Sequence, residues 1–185
     1  MGRELSTKGR LLVATPPLGD PNFDRSVVYM LEHNDDGAVG VVLNRPLLET
    51  VIDGLEDWFE LVTPPAVVYA GGPVEVEALI GIARVESPRE EAWSQIAGQL
   101  GSVDLAMDPT DVADRFAQLR IFQGYSGWGE YQLDSELSLG VWIVVDAEID
   151  DVFSGQPDEL WRTVLRRQGG RLAWIANAPD DLSMN

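Results

Sequence analysis

Cysteine is absent from the 185-residue chain. With it go disulfides, thiolate metal sites, iron–sulfur clusters and cysteine nucleophiles. Histidine occurs once, at His33, and lysine once, at Lys8. A single imidazole excludes a zinc centre built on two or three histidines, and any Ser–His–acid arrangement would have to use His33. Neither Gly-x-x-x-x-Gly-Lys-Ser/Thr nor Gly-x-Gly-x-x-Gly is present, so neither loop is there to cradle a nucleotide's phosphates. Gly-x-Ser-x-Gly is missing too, since Gly124-Tyr125-Ser126-Gly127 is one residue too tight. No apolar run approaches the roughly 18–20 residues of a membrane helix. The basic N-terminal residues Arg3, Lys8 and Arg10 have no apolar stretch behind them, unlike a signal peptide. These absences predict a cytoplasmic protein with no membrane association, no cofactor and no metal.

Positive charge is the other scarcity. Thirteen Lys+Arg stand against 31 Asp+Glu, a formal net charge of −18. The imbalance is regional: residues 1–45 carry a net −1, residues 46–120 a net −10 and residues 121–185 a net −7. Proteins that grip nucleic acid do so by neutralising phosphates with clustered Lys/Arg. The one cluster, Arg162, Arg166, Arg167 and Arg171, falls near the end of a predicted helix, where it complements the helix dipole. Direct nucleic-acid binding is therefore not expected.

Hydrophobic residues make up 45% of the chain, enough for a core, and the length fits one domain over residues 1–185. Residues 1–8 and 176–185 are expected to be flexible ends. Short β-like runs at 11–15, 26–32 and 38–43 surround Asn34-Asp35-Asp36-Gly37, a hairpin signal because Asn and Gly tolerate positive φ. Apolar residues at helical spacing predict a helix over 48–60. Further strands are expected at 66–70, 78–83, 120–123 and 141–145. Residues 86–101 fit a short helix or a loop. Asp108-Pro109-Thr110-Asp111 reads as a helix start running to about 119, and a last helix begins near Pro157 and stops at Gly169-Gly170. Hairpins outnumber βαβ units, which predicts an α+β fold with a mostly antiparallel, β-barrel-like sheet flanked by a few helices.

Two stretches carry unusual chemistry. In the first, Phe23, Arg25 and Ser26 open one strand of the hairpin while Asn44 and Arg45 close the other, so Arg25 and Arg45 should be neighbours. Two adjacent arginines in so acidic a chain call for a structural partner such as Asp20 or Asp24, or for an anionic ligand. His33 and Asn34 lie at the far end of the same strand, where His33 reads as a turn-stabilising residue or a catalytic one. In the second, Gly124, Tyr125, Gly127 and Trp128 interleave glycine with aromatics ahead of Gln132, Asp134 and Glu136, as a ligand wall or as a compact loop packing Trp128. Between them, Gly71-Gly72-Pro73 marks a tight turn or an anion-facing one.

The same stretches resemble the AlgH/YqgE family of bacterial proteins. The resemblance rests on Asp20-Pro21-Asn22-Phe23-Asp24-Arg25-Ser26, Glu32-His33-Asn34, Gly37 to Pro46, Gly71-Gly72-Pro73-Val74 and Gly124 to Trp128 with Gln132-Leu133 and Glu136-Leu137, in order from about residue 9 to 170. It implies one α+β domain in a cytosolic protein, in a family often described as transcriptional regulators and without a settled reaction. The chain departs from the pattern at Glu77 to Ala83, at Tyr131 and at Asp134. The favoured expectation is a non-enzymatic binding or regulatory protein taking a small anionic ligand or a protein partner. The alternatives are an enzyme, such as a hydrolase, with a cleft using His33, Arg25 and carboxylates, and a regulator acting indirectly rather than through DNA.

Overall fold

A computed structural model describes residues 6–16, 20–48, 52–87 and 92–177. Among the described residues, nine strands form one sheet in the order β6-β7-β5-β8-β3-β2-β1-β9, with β4 added alongside β8. β1 (Arg10–Ala14), β2 (Val27–Asn34) and β3 (Gly37–Val42) are the expected first three strands. The β2–β3 turn is closed by Asn34, whose Oδ1 accepts the Asp36 N–H at 2.9 Å. β8 (Phe116–Trp128) is the spine: its first part pairs with β5 (Val74–Val85) and its last residues with β3. β4 (Tyr69–Ala70) joins β8 as the one parallel pair among the described residues. β6 (Trp93–Ala97) and β7 (Leu100–Val103) form a hairpin at one edge, and β9 (Trp142–Asp146) lies beside β1 at the other. The sheet curls into a half-barrel. Gly9, just before β1, approaches Ala97 on β6 so closely that a Cβ there would stand 2.5 Å from the Ala97 side chain.

Both faces of β1–β3 are covered, which is why these strands read as nearly continuous apolar runs. Leu11, Val13, Val27, Tyr29 and Val41 share a core with Leu160, Trp161, Val164 and Leu165 of α4 (Pro157–Gln168). Leu12, Ala14, Val28, Met30 and Val42 pack on the other side with Trp128, Trp142 and Leu133 of α2 (Gln132–Ser138). A third cluster, around Trp58, Trp93, Leu119 and Ile121, fills the β5–β8 end.

The sheet architecture is as expected; several local elements are not. Of the helix over 48–60, only one turn, α1 (Glu56–Phe59), is helical among the described residues, and 49–51 lie outside them. Gly54 at φ +88 interrupts the helical path, and the Trp58 indole donates to Leu105 O at 3.1 Å, a tertiary demand that overrides periodicity. Asp108 caps as predicted, its side chain accepting from Thr110 N, but the cap leads into two 3₁₀ turns (Pro109–Asp111 and Ala113–Arg115) rather than an α-helix to 119. Pairing with β5 claims residues from Phe116 onward for β8. Residues 124–128 are the end of that strand, not a loop. The 86–101 region, described at 86–87 and 92–101, holds β6 and the start of β7. The helix from Pro157 does stop at Gly169, as α4, but it is not the last: α5 (Gly170–Ile175) follows the glycine turn, and a one-turn helix, α3 (Ile149–Val152), precedes α4. The expected flexible ends fall largely on residues 1–5 and 178–185, outside those described.

Candidate functional site

Asn44 builds the arginine end. Its side chain imitates a strand neighbour: Oδ1 accepts the Val27 N–H at 3.0 Å and Nδ2 donates to Arg25 O at 2.9 Å. Arg25 is thereby held at φ +52, a left-handed conformation that non-glycine residues seldom adopt and that persists where surrounding bonds over-determine it. Arg45 comes directly after Asn44, donating to Asn44 O at 3.3 Å and to Asp24 O. Arg25 and Arg45 are neighbours, as antiparallel pairing predicts. The Arg25 guanidinium lies over the Trp161 indole, 5.4 Å from its centroid. Partial burial pulls the Arg45 pKa below its ordinary value, opposed by the Asp24 charge, yet a guanidinium stays cationic at any physiological pH.

Two hollows open here. The smaller, about 250 Å³, is lined by Asp24, Arg25, Asn44 and Arg45 from the hairpin end and by Asp158, Trp161 and Arg162 from α4. The larger, about 580 Å³, shares Asn44, Arg45 and Asp158 and adds Pro21, Asn22, Val42, Pro46, Leu47, Ala70, Gly72 and Pro73. Gly71-Gly72-Pro73 therefore contributes wall, and it is delivered by close backbone contact. Gly71 donates to Gln123 O (2.8 Å) and accepts from Val42 N (2.9 Å) and Ser126 Oγ (3.1 Å), filling the gap between β3 and β8. Gly124 and Tyr125 lie against Gly71 and Gly72 as the platform behind that wall. The Tyr125 phenol has its pKa raised, first by desolvation and then by the Glu75 carboxylate.

The remaining candidates gather elsewhere. His33 is roughly 25 Å from Arg25 by strand rise along β2. Its Nδ1 accepts from Thr7 N at 3.2 Å and lies 3.0 Å from Thr7 Oγ1, while Nε2 stands 3.5 Å from Asp134 Oδ1. It ties the incoming chain to α2 and shares no described hollow with Arg25. Gln132 donates to Glu136 Oε1 at 3.0 Å and accepts from Gly129 N at 3.1 Å. Glu136 Oε2 accepts both the Trp128 and the Trp142 indole N–H, each at 2.8 Å, and Phe23 packs edge-on to Trp142 (5.4 Å) and stacks on Trp128 (6.4 Å). Phe23 and Trp128 thus belong to an aromatic box on the opposite face of the sheet from α4. Gly127 pairs with Val39 of β3, and Ser26 is buried with its hydroxyl unpartnered. Replacing Glu136 by alanine orphans two indole donors. It is expected to cost about 2 kcal/mol in a urea melt and to shift tryptophan emission, whereas Glu136→Gln, which keeps an acceptor oxygen, should recover part of the loss.

Three lining residues come from α4 and escape a reading of the sequence. Asp158 and Trp161 carry no motif, and Arg162 stands among arginines that the helix dipole already explains. The spacing Asp158–Arg162, i to i+4 beside Trp161, is the available signal. Arg167 of the same group has its own task, gripping the buried Asp151 through two bonds of 2.9 and 2.8 Å.

Among the described residues, no group of three or more His, Cys, Asp or Glu is placed to hold a metal ion, and no helix is long and apolar enough to cross a membrane. The sequence model of a family described as AlgH-like matches residues 11–173. A UPF0301 protein of Streptomyces coelicolor is 50% identical over 185 residues, spanning 97% of this chain and 96% of that protein. One from Mycobacterium tuberculosis is 42% identical over 181 residues (96% and 90%). Among solved structures, a protein from Corynebacterium diphtheriae superposes with a TM-score of 0.88 at 28% identity, over 96% of this chain and 95% of that one. The solution structure of the AlgH protein from Pseudomonas aeruginosa gives 0.70 at 28% identity, over 98% of both.

Proposed function

The chain belongs to the AlgH-like family, and within it we propose a binding role: a regulatory protein that takes a small anionic ligand in the cleft walled by Arg25 and Arg45. The observation that carries this reading is the strained Arg25 backbone, fixed by Asn44 beside Arg45 at the shared wall of two hollows. Rigid arginine forks recognise carboxylate and phosphate oxygens with two parallel bonds. The Asn44 and Asp24 carbonyls hold the Arg45 fork and the Trp161 ring lies against the Arg25 guanidinium without a ligand, so little ordering entropy opposes binding.

Calorimetric titration with small carboxylates and inorganic phosphate tests the role. Arg45→Gln is expected to weaken binding about 10–100-fold, the loss of charge-assisted hydrogen bonds. Equal affinity in the variant, or no anion binding to the wild type, would reject the reading. Regulation is then indirect, through the ligand or a protein partner. A net charge of −18 predicts no duplex DNA affinity even at low salt.

A further inference from the structure

We infer that His33 is a pH-operated catch for the strap formed by Ser6 to Gly9, holding it while the imidazole is neutral and letting it go on protonation. The strap leads into β1 and is tied to β2. Ser6 Oγ donates to His33 O at 3.2 Å, Thr7 N to His33 Nδ1 at 3.2 Å and Gly9 N to Met30 O at 2.8 Å. Lys8 Nζ pairs with Glu32 Oε2 at 3.0 Å. The Ser6 and Lys8 ties are exposed, and surface ion pairs contribute little. Thr7 is only 1% exposed, so its amide has no water to turn to and depends on His33 Nδ1 as acceptor.

The tautomer fixes the sense of the switch. A neutral imidazole has one N–H and one bare nitrogen. The Thr7 amide can only donate, so the bare nitrogen is Nδ1 and the proton sits on Nε2, 3.5 Å from Asp134 Oδ1 of α2. A second proton, on Nδ1, sets two donors against each other and orphans the buried amide. Thr7 Oγ1, 3.0 Å from Nδ1, then gives the ring an acceptor but gives the amide none. Histidine exchanges this proton between about pH 5 and 8, and the His33 side chain keeps 10% of its surface in solvent, through which a proton arrives. The ring faces Asp134 from α2, Glu32 from its own strand and Lys8 from the strap; its partner on β3, Ala38, is uncharged, and Asp35 and Asp36 follow in the exposed turn. The Lys8 hydrogen bond holds the Glu32 carboxyl below its usual range, so Glu32 stays ionised across the interval. Asp134, by favouring the imidazolium, assists release. Detaching the strap also lifts Gly9 off Ala97, at the end of edge strand β6.

The sole histidine makes the test direct: one imidazole resonance reports the ring, and amide hydrogen exchange reports the strap, in the same sample of the full chain. Across the ring's titration, protection of the Thr7 and Gly9 amides, corrected for the intrinsic pH dependence of exchange, should fall about tenfold or more. Protection of Tyr29 and Val41 in the β2–β3 ladder should not change. His33→Asn, which keeps an acceptor oxygen near the Nδ1 position and takes up no proton, should hold the strap throughout this range. Asp134→Asn removes the carboxylate that favours the imidazolium and should move release to lower pH. If His33→Asn does not hold the strap at any pH, the wild-type and Asp134→Asn midpoints decide. Ring titration with protection unchanged overturns the proposal. So does the same loss of protection at the same midpoint in His33→Asn, or a midpoint that Asp134→Asn leaves in place or raises.

Discussion

Arg120→Met is expected to lower the unfolding free energy by about 3–5 kcal/mol, the scale on which a broken buried charge network costs stability, and the melting temperature by roughly 6–20 °C. Arg120 is fully buried on β8. Its two terminal nitrogens donate to four main-chain carbonyls: Ser154 at 2.9 Å, Pro64 at 3.1 Å, Thr63 at 3.3 Å and Val152 at 3.4 Å. The guanidinium lies 4.5 Å from the Tyr69 ring centroid. No carboxylate among the described residues pairs with it, so carbonyl dipoles and the π face carry the charge. Burial lowers its pKa, with Tyr69 opposing. Replacing both members of a buried ion pair by apolar residues is often harmless, because no unpaired group is left behind. Here the partners are backbone carbonyls that no side-chain substitution removes, so the penalty of orphaning them stays.

The consequence reaches the cleft. Thr63 and Pro64 lead into β4 and on to Gly71-Gly72-Pro73, while Val152 and Ser154 lead into α4 with Asp158 and Trp161. Arg120 thus fastens both walls from beneath. Arg120→Lys, with one ammonium in place of a two-nitrogen fork, cannot hold both loops and should fall between wild type and Arg120→Met in a urea melt. A melting temperature within 2 °C of wild type for Arg120→Met would show that water satisfies the freed carbonyls.

Arg120 also marks the limit of what local sequence encodes. It stands in a run, Arg120-Ile121-Phe122-Gln123, that is plainly a strand, yet nothing local tells that its side chain enters the core. Only the meeting of loops 57 and 34 residues away reveals it. The hairpin end is legible because register comes from a short turn: once Asn34 to Gly37 closes, Arg25 and Arg45 must face each other. Asp158, Trp161 and Arg162 are not, since the docking of α4 on β1–β3 depends on a crossing no nearby residue encodes. Local capping chemistry is correctly legible at Asp108, but the element behind it is not, because β5 competes for the same residues. Candidates such as His33, Trp128 and Gln132 share motifs with the arginine residues but not their location. Proximity among motifs is sequence order, and the curled sheet separates His33 and Gln132 from the cleft.

Gly71→Ala should cost about 3 kcal/mol, the upper end of overpacking penalties. The added Cβ would stand 2.3 Å from Gly124 O and 3.2 Å from Val41 Cγ1. The first of these is backbone, in a strand that β3 holds on one side through Ser126 and β5 on the other through Gln123 and Tyr125. Movement there would break ladder hydrogen bonds, and movement of Gly71 itself would break its bonds to Gln123, Val42 and Ser126. The effect is steric, since Gly71 does not adopt a positive φ. Gly98→Ala is the matched control: it has φ +55 but open space around its Cβ, so it carries only the left-handed backbone cost of about 1–2 kcal/mol. Chemical denaturation should therefore rank Gly71→Ala below Gly98→Ala in stability. Carboxylate titration should separate them further, with Gly98→Ala binding as wild type does and Gly71→Ala losing affinity because Gly72 and Pro73 are displaced with it. Equal stability of the two would mean that the β3–Gly71–β8 junction yields, and that the cleft wall is softer than its hydrogen bonding indicates.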